Sequence, residues 1–177
     1  MQYYTRLQSA GAVRRGAFTL IELLVVIIIL GIATVIVVPM LANTDDLKLN
    51  SATRQMVAAM LYAQTNAIAT QQTHQIVFDT AANSYEVQKQ NPDSSFTIIK
   101  HPVEKTDYRI DFDTEPGLKN VVVNAVDFDS TSTVRFDRMG APYNGNGNAL
   151  TDGSVTIAVP DLSNIITIEP VTGRIRI

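Results

Sequence analysis

The sequence predicts an α+β protein. A long N-terminal α-helix, its first half apolar enough to span a membrane, leads into a head where its second half packs on an antiparallel β-sheet, with a second sheet expected. Three observations carry this. From Leu23 to Thr44, 22 consecutive residues carry no charge. From Leu49 to Ile68 apolar side chains recur at helical spacing. After Thr73 the period falls to two. The 177 residues suit one domain, and 46% hydrophobic with only 18% charged residues excludes a disordered chain. No cysteine is present, which excludes a disulfide framework, a thiolate zinc site and a Cys nucleophile. Two histidines, His74 and His101, are too few for a His-rich metal centre. The formal net charge of −3 argues against bulk electrostatic binding of nucleic acid.

The charge is unevenly placed. Residues 1–17 carry Arg6, Arg14 and Arg15 and no acid, a net +3, whereas 18–177 carries −6. About 20 helical residues cover a bilayer core, so the run from residue 18 to 44 is long enough to cross. Basic residues on its N-terminal side keep that end in the cytoplasm and export the rest. A cleaved secretory signal fits poorly. The apolar stretch is too long, and Met40 stands two residues before Ala42, where a small residue is preferred. A plain anchor leaves Glu22 unexplained, because a carboxylate at membrane depth costs about 2–3 kcal/mol and marks a function.

Gly16-Ala17-Phe18-Thr19-Leu20-Ile21-Glu22-Leu23 resembles the processing motif of type IV prepilins and type II secretion pseudopilins. The resemblance implies a leader, 1–17, removed by a prepilin peptidase on the cytoplasmic side. Cleavage between Ala17 and Phe18 makes Glu22 the fifth residue, as the family pattern requires. The family's usual residue before the cut is Gly, and cutting after Gly16 would misplace Glu22 by one. It also implies N-methylation of Phe18 and a role for Glu22 in assembly, paired with the α-amino group of Phe18 on a neighbouring subunit. Gly31 and Pro39 weaken a helix. They are either ordinary tolerance in a membrane helix or a stretch that loosens as the helix leaves the membrane.

Asn43-Thr44-Asp45-Asp46 marks the exit from the membrane. Leu49, Met56, Met60 and Ala67 then share one helical face, flanked by Val57, Leu61 and Ile68, with Lys48, Arg54, Gln55 and Gln64 on the wetter side. Helix from Phe18 to about Gln71 would be ~80 Å long at ~1.5 Å per residue. The periplasmic head, 45–177, continues with strands at 74–79, 85–90, 97–101, 108–112, 121–128, 133–137, 154–159, 165–169 and 174–177, rich in Val, Ile, Thr, Tyr and Phe. Turn residues separate them, among them Asn83-Ser84, Glu115-Pro116-Gly117, Pro160-Asp161 and Thr172-Gly173.

The passage 58–69 followed by Ile76-Val77-Phe78-Asp79, the segment Val134–Gly140 with its F-x-x-x-G, and the ending Ile168–Arg176 resemble the H-type (GspH/FimT) pseudopilins. The family's helix has Ala-Arg where this chain has Ala63-Gln64. Residues 80–130 match nothing specific. The resemblance implies a pilin-like fold and a minor pseudopilin of a type II secretion system. Such a subunit is a single-pass inner-membrane protein with a periplasmic head, which then joins a pseudopilus that drives protein export. Its partners would be the prepilin peptidase, other pseudopilins and the inner-membrane assembly platform.

No enzyme constellation or cofactor site is read from the chain. The acid pairs Asp111/Asp113 and Asp127/Asp129 share strand faces and read as solvated strand ends. Asn144-Gly145-Asn146-Gly147-Asn148 lacks the leading Asp and closing Glu of a calcium loop and reads as a turn-rich loop. Arg174 and Arg176 share one face of the last strand. A G-R-x-R ending resembles the DNA-contacting element of FimT-type minor type IV pilins, which bind DNA for natural transformation. The other reading pairs both arginines with acids.

Overall fold

A computed structural model describes residues 18–42 and 44–177, with side chains at 18–35 and 44–177. The 1–17 leader, Ala17 included, and the side chain of Pro39 lie outside the described residues. The chain divides into two units, one ending at Asn43 and one running from Thr44 to Ile177.

The first unit holds helix α1, Leu20–Ala42. Its start follows from Thr19. The Glu22 amide donates to the Thr19 hydroxyl at 3.3 Å and to the Thr19 carbonyl at 3.1 Å, so a threonine caps the helix with a glutamate three residues on. Every described side chain of α1 is exposed. Among the described residues no helix is long and apolar enough to cross a membrane. The side chains described in α1 end at Val35, short of the ~20 residues a span takes.

The second unit opens with helix α2, Asp45–Thr70. Thr44 is not helical, so the expected single helix is assigned as two, separated at the polar stretch. Asp45 and Asp46 occupy the first turn of α2, where carboxylates favour the helix dipole. Gln71 ends it in the left-handed conformation. Leu49, Met56, Met60 and Ala67 are buried as their spacing requires, together with Ala52, Thr53, Ala59 and Ala63. Leu61 and Ile68 are each 47% exposed, so the apolar face is narrower than the sequence suggested.

Ten strands follow: β1 His74–Asp79, β2 Ser84–Gln90, β3 Phe96–Ile98, β4 Arg109–Asp111, β5 Val122–Phe128, β6 Thr133–Phe136, β7 Pro142–Asn144, β8 Gly153–Val159, β9 Leu162–Ile168 and β10 Ile175–Arg176. They form two antiparallel sheets. The larger has the order β3-β2-β1-β6-β7, with β4 also pairing with β2, and the smaller has β10-β9-β8-β5. Val159 pairs with Leu162, so Pro160-Asp161 makes a tight hairpin, and β9 starts three residues before the expected strand. β7 was read as loop. It is three residues long, opens on Pro142 and lies at a sheet edge, where proline is tolerated and periodicity is too short to detect.

One core joins the layers. Met56 and Met60 of α2 are fully buried with Ile76, Val87, Phe136, Ile157 and Ile166 from both sheets. The rings of Phe78 on β1 and Phe128 on β5 stack at 5.7 Å between the sheets. Asn83 stitches them by hydrogen bonds. Its side chain donates to the Val121 carbonyl and the Asp113 carboxylate, both at 2.8 Å, and accepts from the Val123 amide at 2.9 Å.

Candidate functional site

The first candidate is the beginning of α1. Phe18 is 77% exposed, and Leu20, Ile21 and the apolar side chains described from Leu23 onward form an exposed apolar surface. Glu22 stands in the first turn as its only described charge. Its backbone amide is committed to Thr19. The sequence reading gave Glu22 an assembly role and missed Thr19, although the T-x-x-E spacing of a helix start was legible. Gly31 has open space around it. The Thr34 hydroxyl donates back to the Leu30 carbonyl at 2.7 Å, beside it. Pro39 is helical in backbone, and having no amide hydrogen it leaves a carbonyl one turn back without its helix partner.

The second candidate is a junction of three distant segments. Gln64 Nε2 on α2 donates to the Gly140 carbonyl at 2.9 Å, the Gly173 carbonyl at 3.2 Å and the Thr172 carbonyl at 3.4 Å. Gly140 has φ +83° and Gly173 φ +64°. A Cβ on Gly173 would come within 2.7 Å of the Gly140 carbonyl, and one on Gly140 within 2.9 Å of Ile68. Glycine is therefore required at both by conformation and by space. Gln64 was expected on the wetter side of the helix. It is half-buried, because the three carbonyls it serves come from residues 76–109 positions away. Gln55 is likewise half-buried and donates to Glu115 at 3.4 Å.

The terminal arginines separate. Ile175 packs against the core while Arg174 and Arg176 are exposed, which is the expected alternation. Arg176 is ion-paired with Glu169. The Arg174 side chain has no ion pair among the described residues. The DNA reading needed both guanidinium groups, and it loses support at Arg176.

The other candidates are explained by structure. The Asp111 carboxylate accepts from the Asp113 amide at 3.0 Å, and Asp113 accepts from Asn83. Asp129 accepts from the Thr151 hydroxyl and amide and the Asp152 amide, which holds its carboxyl below the usual range, the hydroxyl contributing most. These acids close turns and are not free strand ends. Asn144 is buried, and its side-chain oxygen accepts from the amides of Asn146 and Asn148, both at 3.0 Å, so the Asn-Gly loop binds itself. His101 lies past β3 with its ring edge-on to Tyr108 at 4.5 Å. His74 is buried at the head of β1, and that burial lowers its pKa from 6.5, with Lys89 adding to the shift and the Gln72 carbonyl opposing it. No group of three or more metal-ligating side chains is found among the described residues.

Comparison with known proteins places these features. A model of the prokaryotic N-terminal methylation motif matches residues 13–38. The model described as Type II transport protein GspH matches residues 52–172. Among solved structures, the minor pseudopilin EpsH from the Type 2 Secretion System of Vibrio cholerae is similar at 13% identity, over 73% of this chain and 94% of that one, with a TM-score of 0.52. A second structure of EpsH is similar at 11% identity, over 73% and 92%, with a TM-score of 0.52. The type IV minor pilin FimU of Pseudomonas aeruginosa aligns at 17% identity over 75% and 90%, with a TM-score of 0.49. At such identities the likeness to EpsH concerns the fold. Among curated proteins no relative matches the chain significantly by sequence.

Proposed function

Because the chain belongs to the GspH family of type II transport proteins, we propose that it is a minor pseudopilin subunit of a type II secretion system. In this reading a prepilin peptidase removes residues 1–17 by cutting between Ala17 and Phe18, and Phe18 is then N-methylated. Helix α1 holds the subunit in the inner membrane as a single pass, with its head in the periplasm. From there it joins other pseudopilins, through the inner-membrane assembly platform, in a pseudopilus that drives protein export.

The observation that supports this is the surface of α1. From Phe18 to Val35 each side chain is exposed, all but Thr19, Glu22, Gly31 and Thr34 are apolar or alanine, and the stretch lies within the methylation motif. An apolar surface of this length needs lipid or other helices against it. The same surroundings make Glu22 costly unless a cation meets it. The α-amino group released at Phe18 on a neighbouring subunit is that cation in this proposal. Glu22 then sets the axial register of an entering subunit, and Gly31 and Pro39 loosen α1 on its way from lipid to filament.

The test is Glu22→Ala in cells carrying the peptidase and the other pseudopilins. Mass spectrometry should still find a mature chain beginning at methylated Phe18, while recovery in sheared filaments falls at least ~tenfold. Filament recovery equal to the parent would overturn the role of Glu22. A mature N-terminus at Ala17 would move the cut to Gly16.

A further inference from the structure

On the outer face of the larger sheet, one row of side chains crosses five strands. Ile98, Gln88, Gln75, Arg135 and Tyr143 stand opposite one another through the register of β3, β2, β1, β6 and β7. Hydrogen bonds within and beside the row all run one way. Arg135 Nε donates to Gln75 Oε1 at 2.9 Å, Gln75 Nε2 donates to Gln88 Oε1 at 2.6 Å, and Gln88 Nε2 donates to the Glu86 carboxylate. The chain of amides thus fixes Arg135 at Nε. Its guanidinium carbon also lies 5.0 Å from the centre of the Phe96 ring, which orients the plane of the group.

Both terminal nitrogens of Arg135 remain. Neither has a hydrogen-bond acceptor or an ion-pair partner among the described residues. Arg135 borders a pocket of about 200 Å³ shared with Phe96, Tyr143, Gln90 and Asp137. Asp137 forms no ion pair with it among the described residues; one Asp137 oxygen accepts from the amides of Met139 and Ala141, both at 2.8 Å, and holds the turn between β6 and β7.

A guanidinium fixed at Nε and over a ring, with its outer edge free, is shaped for a planar anion with two oxygens. The pocket is smaller than the ~300 Å³ at which drug-sized sites begin. It has room for one side chain, and Arg beside two aromatic rings is the composition of a protein-binding hot spot. We propose that this pocket is a recognition site for a carboxylate side chain of a partner polypeptide, held by the outer nitrogens of Arg135 between Phe96 and Tyr143. The proposal stands on the head alone and does not depend on the filament reading.

The test uses the full chain in detergent micelles, with ¹⁵N NMR of the Arg135 Nε–H and the Tyr143 and Gly147 amides. The probes are the capped tripeptides Ala-Glu-Ala and Ala-Gln-Ala, and acetate. The glutamate peptide should shift these signals saturably and bind at least ~tenfold more tightly than the glutamine peptide or acetate, a difference of about 1.4 kcal/mol. Arg135→Lys, read on the amides, should lose about as much. Phe96→Leu should weaken binding ~2–5-fold, as expected for an exposed cation–π contact of about 0.5–1 kcal/mol. Equal responses to the two peptides, or none to either, would overturn the site. Acetate binding as tightly as the glutamate peptide would overturn the polypeptide assignment in favour of a free small carboxylate. If Arg135→Lys melts early, the peptide pair in the unaltered chain and the Phe96→Leu variant decide the matter.

Discussion

Helices α1 and α2 are of similar length, 23 and 26 residues, and both are rich in aliphatic side chains. Their surroundings differ completely. Each described side chain of α1 is exposed, whereas eight residues of α2 are buried against the two sheets. Their hydrogen bonds differ too. Side-chain bonds in α1 reach three or four residues, from Glu22 to Thr19 and from Thr34 to Leu30. α2 has such local bonds too, as from Thr53 to the Leu49 carbonyl, but others reach across the fold, from Asn164 to Thr53 and from Gln64 to Gly140 and Gly173. Apolar composition alone therefore does not make a core. The head covers one face of α2 within its own unit, whereas the described side chains of α1 stay exposed.

The sharpest way to break this contrast is a matched pair of truncations. Phe136 on β6 is fully buried and meets Met56 and Met60 in one core. Phe136→Ala should cost about 3–5 kcal/mol. Ile27 on α1 is 59% exposed, and Ile27→Ala should leave unfolding of the head within ~0.5 kcal/mol of the parent. Denaturant melts of the full chain in micelles check both. Equal losses would mean that α1 shares the core of the head.

Next in size is Asn83→Ala. It removes three hydrogen bonds, two of them between the sheets, and leaves the Val123 amide and Val121 carbonyl without that partner. The expected loss is about 2–4 kcal/mol by the same melts. Below it comes Gly173→Ala, where a left-handed backbone and the nearby Gly140 carbonyl both resist a side chain. The expected loss is about 1–3 kcal/mol. A neutral result would show that the junction at Gln64 can open without cost to the core.

The smallest effect is a pH dependence. Burial lowers the His74 pKa from 6.5, so the folded protein binds this proton less readily than the unfolded chain does. Unfolding stability should therefore be unaffected by His74 above pH 6.5 and should fall as pH drops from 6.5 through the lower folded value. The slope should flatten in His74→Gln, measured over the same range. An unchanged slope would show that His74 does not contribute to it, since carboxylates such as Asp129, whose pKa is lowered by its bonds to Thr151 and Asp152, act only at more acid pH.

Much of the architecture was legible because periodicity reports burial directly. The stripe Leu49, Met56, Met60, Ala67 named the buried side of α2, and β1, β2 and β6 fell where alternation placed them. Asp45-Asp46 was read as the membrane exit inside one long helix, and the structure instead starts a second helix there. The misses were of two kinds. β7 is too short to show a period, and its last residue, Asn144, opens the Asn-Gly stretch read as a loop. Leu61 and Ile68 were placed by helical spacing beside the stripe, and Gln55 and Gln64 on its wetter side, but exposure depends on what lies above each position.

By itself the sequence determined most helix and strand segments, where the uncharged run begins and ends, and that Glu22 stands immediately before it, because these depend on side-chain chemistry and local spacing. Only the tertiary structure decided that Gln64 meets Gly140 and Gly173, that Asn83 joins two sheets, that Glu169 holds Arg176 and that Phe96 lies over Arg135. Such pairs are 7 to 109 residues apart in the chain. A polar side chain carries the capacity to bond, but its partner is chosen when the sheets pack and bring distant carbonyls, carboxylates and rings within reach.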